Sequence, residues 1–245
     1  ETWNLRNVDS SLSVIQSIQN NLREGKWAIT CAIFYNLTNK THTIVQTWPG
    51  YFDGSIYGIA LDLGSTTIAG HLCNLQSGKV VFSTGLMNPQ IKFGEDLMSR
   101  VSYAMMNELG CNKLALAVRE GINKLIKEIC NNSNISKSEV LELIIVGNPI
   151  MHHLLLEIDP TELGQAPFSL AISQSLNFKS EEINIELNKN AQISILPCIA
   201  GHVGADAAAV VLSETPNKSK DVVLIVDVGT NAEILLRNKD KLYAC

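Results

Sequence analysis

The chain has 245 residues, 46 % of them apolar and 18 % charged, and a formal net charge of −5. Such a length holds one large core or two smaller ones, and the acidic balance without a basic stripe argues against nucleic acid as a partner. No apolar run is long enough to span a bilayer, and no signal peptide is legible.

Residues 9–24 read as an amphipathic helix, with Asp9 or Ser10 as its cap and Leu12, Ile15, Ile18 and Leu22 at helical spacing. Gly25 is its expected stop. Residues 28–35 and 42–48 read as a hairpin about a turn at 36–40, and Pro49-Gly50 marks a boundary. The stretch 1–55 is therefore expected to be a small αββ unit, the tail of a preceding domain.

From Tyr57 a meander of three strands is expected at 57–63, 67–75 and 79–87, with Ser77-Gly78 in the second turn. A polar loop from Asn88 to Asp96 opens a helix at about 95–106. A second helix, about 112–131, aligns Leu114, Val118, Ile122, Leu125, Ile126 and Ile129 on one face. Residues 140–146 read as a buried strand. Gly147-Asn148-Pro149 ends it and starts a helix through Leu156, since proline is tolerated in a first turn. Residues 159–190 read as mostly irregular and 193–197 as a short strand. Gly204 then leads through Asp206 into an alanine-rich helix to about Leu212, and a last hairpin begins at Val222. The order from 57, βββαα-βα-βα-ββ, fits a ribonuclease-H-like α/β unit.

Two segments share one pattern: Asp62-Leu-Gly64-Ser65-Thr66-Thr67 and, 165 residues later, Asp227-Val-Gly229-Thr230-Asn231. Each follows an apolar run of the kind found in strands buried on both faces. The glycines allow tight turns where backbone N–H groups approach an anion. Ser65, Thr66, Thr67, Thr230 and Asn231 add side-chain donors. Asp62 and Asp227 would repel a phosphate unless a hydrated Mg²⁺ lay between, and Mg²⁺ prefers carboxylate and phosphate oxygens. One such turn is ordinary. Two of them suggest a duplicated fold whose halves clamp one nucleotide.

Other residues carry weaker signals. His152 and His153 are adjacent on a helix, where side chains leave about 100° apart, so a structural or partner-contact role is favoured over a shared metal. Asp206 reads first as a residue that favours its helix N-terminus and second as a Mg²⁺ or nucleotide contact, and His202 has similar standing. Glu233 reads as an exposed strand residue sharing a face with Asn231 and Leu235. The loop from Asn88 to Asp96 reads equally as the lead-in to a helix or as a contact to partner or nucleotide. The six cysteines form no C-x-x-C pair, which favours packing roles in a reducing compartment and gives these residues no iron–sulfur site of their own.

The two Asp-x-Gly turns resemble the phosphate loops of the actin, sugar-kinase and heat-shock-chaperone ATPase superfamily, and the helix from Gly204 to Leu212 resembles its first connecting helix. Four segments narrow the likeness. They are the turn at Asp227, Gly147-Asn-Pro-Ile-Met-His-His153, Leu196-Pro-Cys-Ile-Ala-Gly-His-Val-Gly-Ala-Asp206 and Asn88-Pro-Gln-Ile-Lys-Phe-Gly-Glu-Asp96. Together they resemble the ATP-dependent reductive activators of corrinoid proteins, which join a 2Fe-2S ferredoxin domain, a linker and a small middle domain to an actin-like ATPase. The likeness covers nearly the whole chain. It implies the end of a middle domain at 1–55, a first ATPase lobe at 57–213 and the start of a truncated second lobe at 221–245. The chain departs from the family at Pro149-Ile150, where two threonines are common, and at Ala232, where glycine is common.

The resemblance implies ATP and Mg²⁺ as cofactors, with Asp62 and Asp227 catalytic and holding the metal through water. It implies Gly64, Ser65, Thr66, Thr67, Gly229, Thr230 and Asn231 around the phosphates. The task it implies is one-electron reduction of cobalt(II) to cobalt(I) in a partner corrinoid protein, with the electron from a 2Fe-2S domain outside these residues. The expected setting is cytoplasmic, with neither nucleic acid nor membrane as partner and a homodimer allowed. ATPase activity is expected of the full-length protein and little of it from these residues alone. The alternatives are a small-molecule kinase of the same superfamily and a nucleotide-gated assembly protein without useful turnover.

Overall fold

The computed structural model describes residues 5, 7–229 and 232–245. A first small sheet contains β1 (Val8–Ser10), β2 (Ile29–Asn36) and β3 (Thr41–Pro49), ordered β1-β3-β2. It is packed by the helix α1 (Leu12–Glu24). The expected helix start at 9 is corrected: Val8, Asp9 and Ser10 pair in parallel with His42, Thr43 and Ile44, because β3 offers them an open edge. Ser11, rather than Asp9 or Ser10, caps α1, its hydroxyl accepting from the Val14 N–H at 3.3 Å. The buried position of α1 is Val14, whereas Leu12 and Ile15 face solvent.

The large sheet has six strands. They are β4 (Tyr57–Leu63), β5 (Thr67–Asn74), β6 (Val80–Met87), β7 (Val140–Gly147), β8 (Leu176–Lys179) and β9 (Gln192–Ile195). Their order is β6-β5-β4-β7-β9-β8. The three meander strands are antiparallel, and β7 and β9 add in parallel beside β4. This is the ribonuclease-H-like arrangement that the element order implies. Residues 159–190 are mostly irregular, as expected, and β8 is the strand the sequence reading passed over: it pairs antiparallel with β9 at the sheet edge.

Three helices, α2 (Leu97–Met106), α3 (Gly110–Ser133) and α4 (Pro149–Leu155), complete this unit. α3 presents Leu114, Val118, Ile122, Leu125, Ile126 and Ile129, all fully buried, to the core made with Ile68 and Leu72 of β5. That is the stripe expected from the sequence, because its 3.6-residue period lets one helix face meet one sheet face.

The helix α5 (Ala205–Glu214) touches β7 and then leads to a second antiparallel sheet of β10 (Val223–Val228), β11 (Ala232–Asn238) and β12 (Lys241–Ala244). The small first sheet is tied to the large unit by polar contacts. Asn190 Oδ1 accepts from the Ser11 and Ser13 hydroxyls at 2.6 and 2.8 Å, and the Asn188 amide donates to Gln46 Oε1 at 3.2 Å.

Candidate nucleotide-phosphate site

β4 is flanked on both sides, by β5 and β7, and Asp62 is its penultimate residue. Gly64 follows in a tight turn. A Cβ there would stand 2.5 Å from the Thr67 carbonyl oxygen, so a larger residue would force the turn open. Asp227 is likewise penultimate in β10, directly opposite Glu233 of β11. Directly paired residues point to one face, so the two carboxylates leave the second sheet together.

These two strand ends meet at one cavity of about 140 Å³, lined by Asp62, Gly64, Ser65, Asn148, Asp206, Asp227, Gly229 and Glu233. The sequence-derived residues Asp62, Gly64, Ser65, Asp227 and Gly229 thus come together. Thr66 and Thr67 are not among the lining residues, Thr67 being already the first residue of β5. Thr230 and Asn231 lie outside the described residues. Three residues join that the sequence reading weighted otherwise or passed over. Asp206 enters from the first turn of α5, where its Oδ1 also accepts from the Ala207 N–H at 2.8 Å. Glu233 comes with Asp227. Asn148 caps α4, its Oδ1 accepting from the Ile150 N–H at 3.0 Å.

The cavity is electrostatically one-sided. Four carboxylates line it, and among the described residues no lysine, arginine or histidine does. Burial pushes the Asp62 carboxyl above its ordinary range, Asp206 and Asp227 push it further, and His71 opposes them. Burial likewise raises Asp206, against the hydrogen bonds from Ala207 and its own N–H, and Asp227 adds to the rise. Glu233 is raised by burial, then by Asp206 and Asp227. Each rise has the same leading cause, burial that strips water from the charged form, with neighbouring carboxylates adding to it. Among the described residues no group of three or more His, Cys, Asp or Glu closes to metal-chelating spacing.

His152 and His153 lie elsewhere, buried in the core. Although neighbouring side chains leave a helix about 100° apart, their Nδ1 atoms approach to 3.4 Å. His153 also spans Pro149 O at 2.8 Å and the Ala171 N–H at 3.1 Å, which makes it a structural clasp. Burial, then His153, lowers the His152 pKa to about 4, so the pair is neutral near pH 7. His202 is exposed and packs edge-on against Phe168, with ring centroids 4.2 Å apart.

Comparison with known proteins adds a second line of observation. A family model described as the RACo middle region matches residues 57–218, and one described as the RACo linker region matches residues 1–54. The corrinoid activation enzyme RamQ of Eubacterium limosum is 34 % identical over 188 residues, which cover 77 % of this chain and 31 % of that protein. The Co(II) methylated amine-specific corrinoid protein reductase of Methanosarcina barkeri is 26 % identical over 196 residues, covering 76 % of this chain and 35 % of that one. A solved structure of a reductive activator for corrinoid, iron-sulfur protein superposes with a TM-score of 0.90 at 32 % identity, over 97 % of this chain and 38 % of that one. The chain therefore spans about a third of the length of the relatives it matches.

Proposed function

The chain belongs to the RACo family, and from that premise we propose that it is the phosphate-gripping portion of an ATP-dependent reductive activator of a corrinoid protein. The observation that carries this reading is the meeting of two Asp-x-Gly turns, from two separate sheets, at one carboxylate-rich cavity. The relatives named for corrinoid activation and reduction support the task. In this reading residues 1–55 end a middle domain, 57–213 form the first ATPase lobe and 221–245 begin the second.

The donor set fits Mg²⁺. Four carboxylates converge on the cavity, with no lysine, arginine or histidine among the described residues that line it, and Mg²⁺ prefers carboxylate oxygens while keeping several waters. Asp62 and Asp227 would hold such an ion through water, with Asp206 and Glu233 adding negative charge around them. When bound, Mg²⁺ would neutralise phosphate charge and orient water. The cavity, at about 140 Å³, is smaller than the roughly 300–1,000 Å³ of sites that enclose whole ligands. It suits the phosphate end of ATP, and the base would rest on regions of the protein beyond these residues.

The protein's own contribution is positioning. Asp62 and Asp227 sit at the ends of paired strands, so their carboxylates are fixed relative to backbone that cannot easily shift. Closing the two sheets on a triphosphate and releasing them after hydrolysis would alter the contact with the corrinoid partner. That cycle would drive an uphill transfer from a 2Fe-2S domain to cobalt(II), where each 100 mV opposes one electron by about 2.3 kcal/mol. Cysteines that are all free match a reducing, cytoplasmic setting.

The test is Asp227→Asn in the full-length protein, a change of charge at nearly constant volume. ATP turnover is expected to fall by about two orders of magnitude or more, together with ATP-dependent loss of the paramagnetic cobalt(II) signal in a corrinoid protein. Unchanged far-ultraviolet circular dichroism would show an intact fold. Full turnover in the variant would refute the reading.

A further inference from the structure

Arg100 lies on α2 with none of its surface exposed. Among the described residues no carboxylate forms an ion pair with it. Its guanidinium donates to Ser65 O at 2.6 Å, Gly94 O at 3.0 Å, Met151 Sδ at 3.1 Å and Gln90 Oε1 at 3.5 Å. The nearest opposite charge acting on it is Asp96 at the start of α2, which is not paired with it directly. A buried guanidinium whose hydrogen bonds all go to neutral groups is costly, because those dipoles replace lost hydration without the full gain of an ion pair. Arginine nevertheless keeps its proton. A positive charge is thus stored directly behind the first Asp-x-Gly turn.

The same 88–100 segment makes two more contacts to that turn. The Asn88 side-chain amide donates to Gly64 O at 2.9 Å, and its backbone N–H donates to Thr66 O at 2.8 Å. Asn88, like Arg100, is fully buried. Three consecutive carbonyls, of Gly64, Ser65 and Thr66, are therefore drawn toward one wall. The cis peptide bond of the described chain lies elsewhere, at Ala166-Pro167, so these three peptides are trans. In a trans peptide the N–H points opposite the carbonyl. The amides that follow, of Ser65, Thr66 and Thr67, turn away from that wall; of these three residues Ser65 lines the cavity, as does Gly64 before it.

We propose that Arg100, supported by Asn88, is a positioning residue for polyphosphate: together they fix the backbone of the first Asp-x-Gly turn where Gly64 and Ser65 line the cavity, and Arg100 lends that turn a positive charge from behind. The bound phosphates would add negative charge to that of Asp96, which alone forms no ion pair with the guanidinium. This rests on the nucleotide reading above and adds to it the device that shapes the anion loop. Lysine cannot replace the function, since one ammonium cannot reach Ser65 O and Gly94 O in the fork geometry of a guanidinium.

The experiment measures binding of Mg·ATP, Mg·ADP and adenosine to the full-length protein and to Arg100→Lys and Asn88→Ser, with thermal melting of each. Arg100→Lys is expected to weaken ATP and ADP by about tenfold or more and to leave adenosine unchanged. Asn88→Ser, which keeps the charge and a capping oxygen but loses the reach to Gly64 O, gives a smaller loss of the same kind. It decides the matter by itself if the lysine variant fails to fold. Equal binding of ATP by wild type and variants overturns the proposal. So does a loss shared equally by adenosine, which would mark Arg100 as a fold residue alone. If the wild-type protein binds none of the three ligands, the nucleotide reading falls and takes this inference with it.

Discussion

Asp62, Asp206 and Glu233 are all held above the ordinary carboxylate range, and the sign of the consequence follows from linkage. A carboxyl whose pKa is higher folded than unfolded destabilises the fold once ionised. The penalty is full above the folded pKa and fades as pH falls through it toward the unfolded value. Asp206→Asn should therefore melt higher than wild type at pH 7, by about 1–3 °C, while keeping the bond to the Ala207 N–H. That advantage should vanish as the pH is lowered into the ordinary carboxylate range. Calorimetry of both proteins across pH checks it, and a gain independent of pH would remove the carboxylate cluster as its cause. The same variant should bind Mg·ATP less well, a trade of function against stability. Gly64→Ala should abolish most nucleotide binding, because its methyl group meets the Thr67 carbonyl oxygen at 2.5 Å. Asp62 and Asp227 were legible in the sequence because each closes an apolar run just before a glycine. Asp206 and Glu233 carried no such mark, since their place depends on two sheets meeting. Arg100 was hidden for another reason: a charged residue on an amphipathic helix ordinarily faces water.

At the scale of elements, α3 is the member that holds the large sheet in shape. Leu125 and Ile129 rest directly over Gly70 of β5, where an added Cβ would stand 2.9 and 3.0 Å from them. Leu125→Ala should cost about 2–5 kcal/mol, because backbone this closely packed cannot collapse into the space left. Urea unfolding followed by circular dichroism measures it, and a loss below about 1 kcal/mol would mean that the site relaxes freely. The meander and α3 were legible because their periods, two and 3.6, are sustained over many residues. β8 was not: Leu176–Lys179 is a four-residue edge strand with mixed polarity, and pairing with β9 alone makes it a strand. β1 escaped notice for the same reason, as three residues recruited by the edge of β3. The helix α1 consequently starts later than its spacing suggests, at a cap made by Ser11.

For the whole molecule, the second sheet has two unlike faces. Ile225, Asp227, Glu233 and Leu235 face inward, whereas Leu224, Val226, Val228, Ile234 and Tyr243 remain exposed on the other side. A contiguous apolar strand face is a surface for association. The 245-residue chain alone should therefore self-associate in light scattering, and Val226→Lys should shift it toward monomer; a monodisperse monomer from the unmodified chain would contradict this. The division into two sheets was legible as a repeated turn, but the exposed face was not, because alternation does not say which side is covered. Between the sheets runs α5, ten residues that begin at the cavity with Asp206 and touch both β7 and β11. At 1.5 Å per residue it is a rod about 15 Å long. A tilt of about 10° at its base would sweep its far end through roughly 2.6 Å over that length. In the proposed cycle a displacement too small to disturb the carboxylates would thereby be magnified into one large enough to separate a pair of surfaces, with the helix as a lever whose fulcrum lies at the cavity.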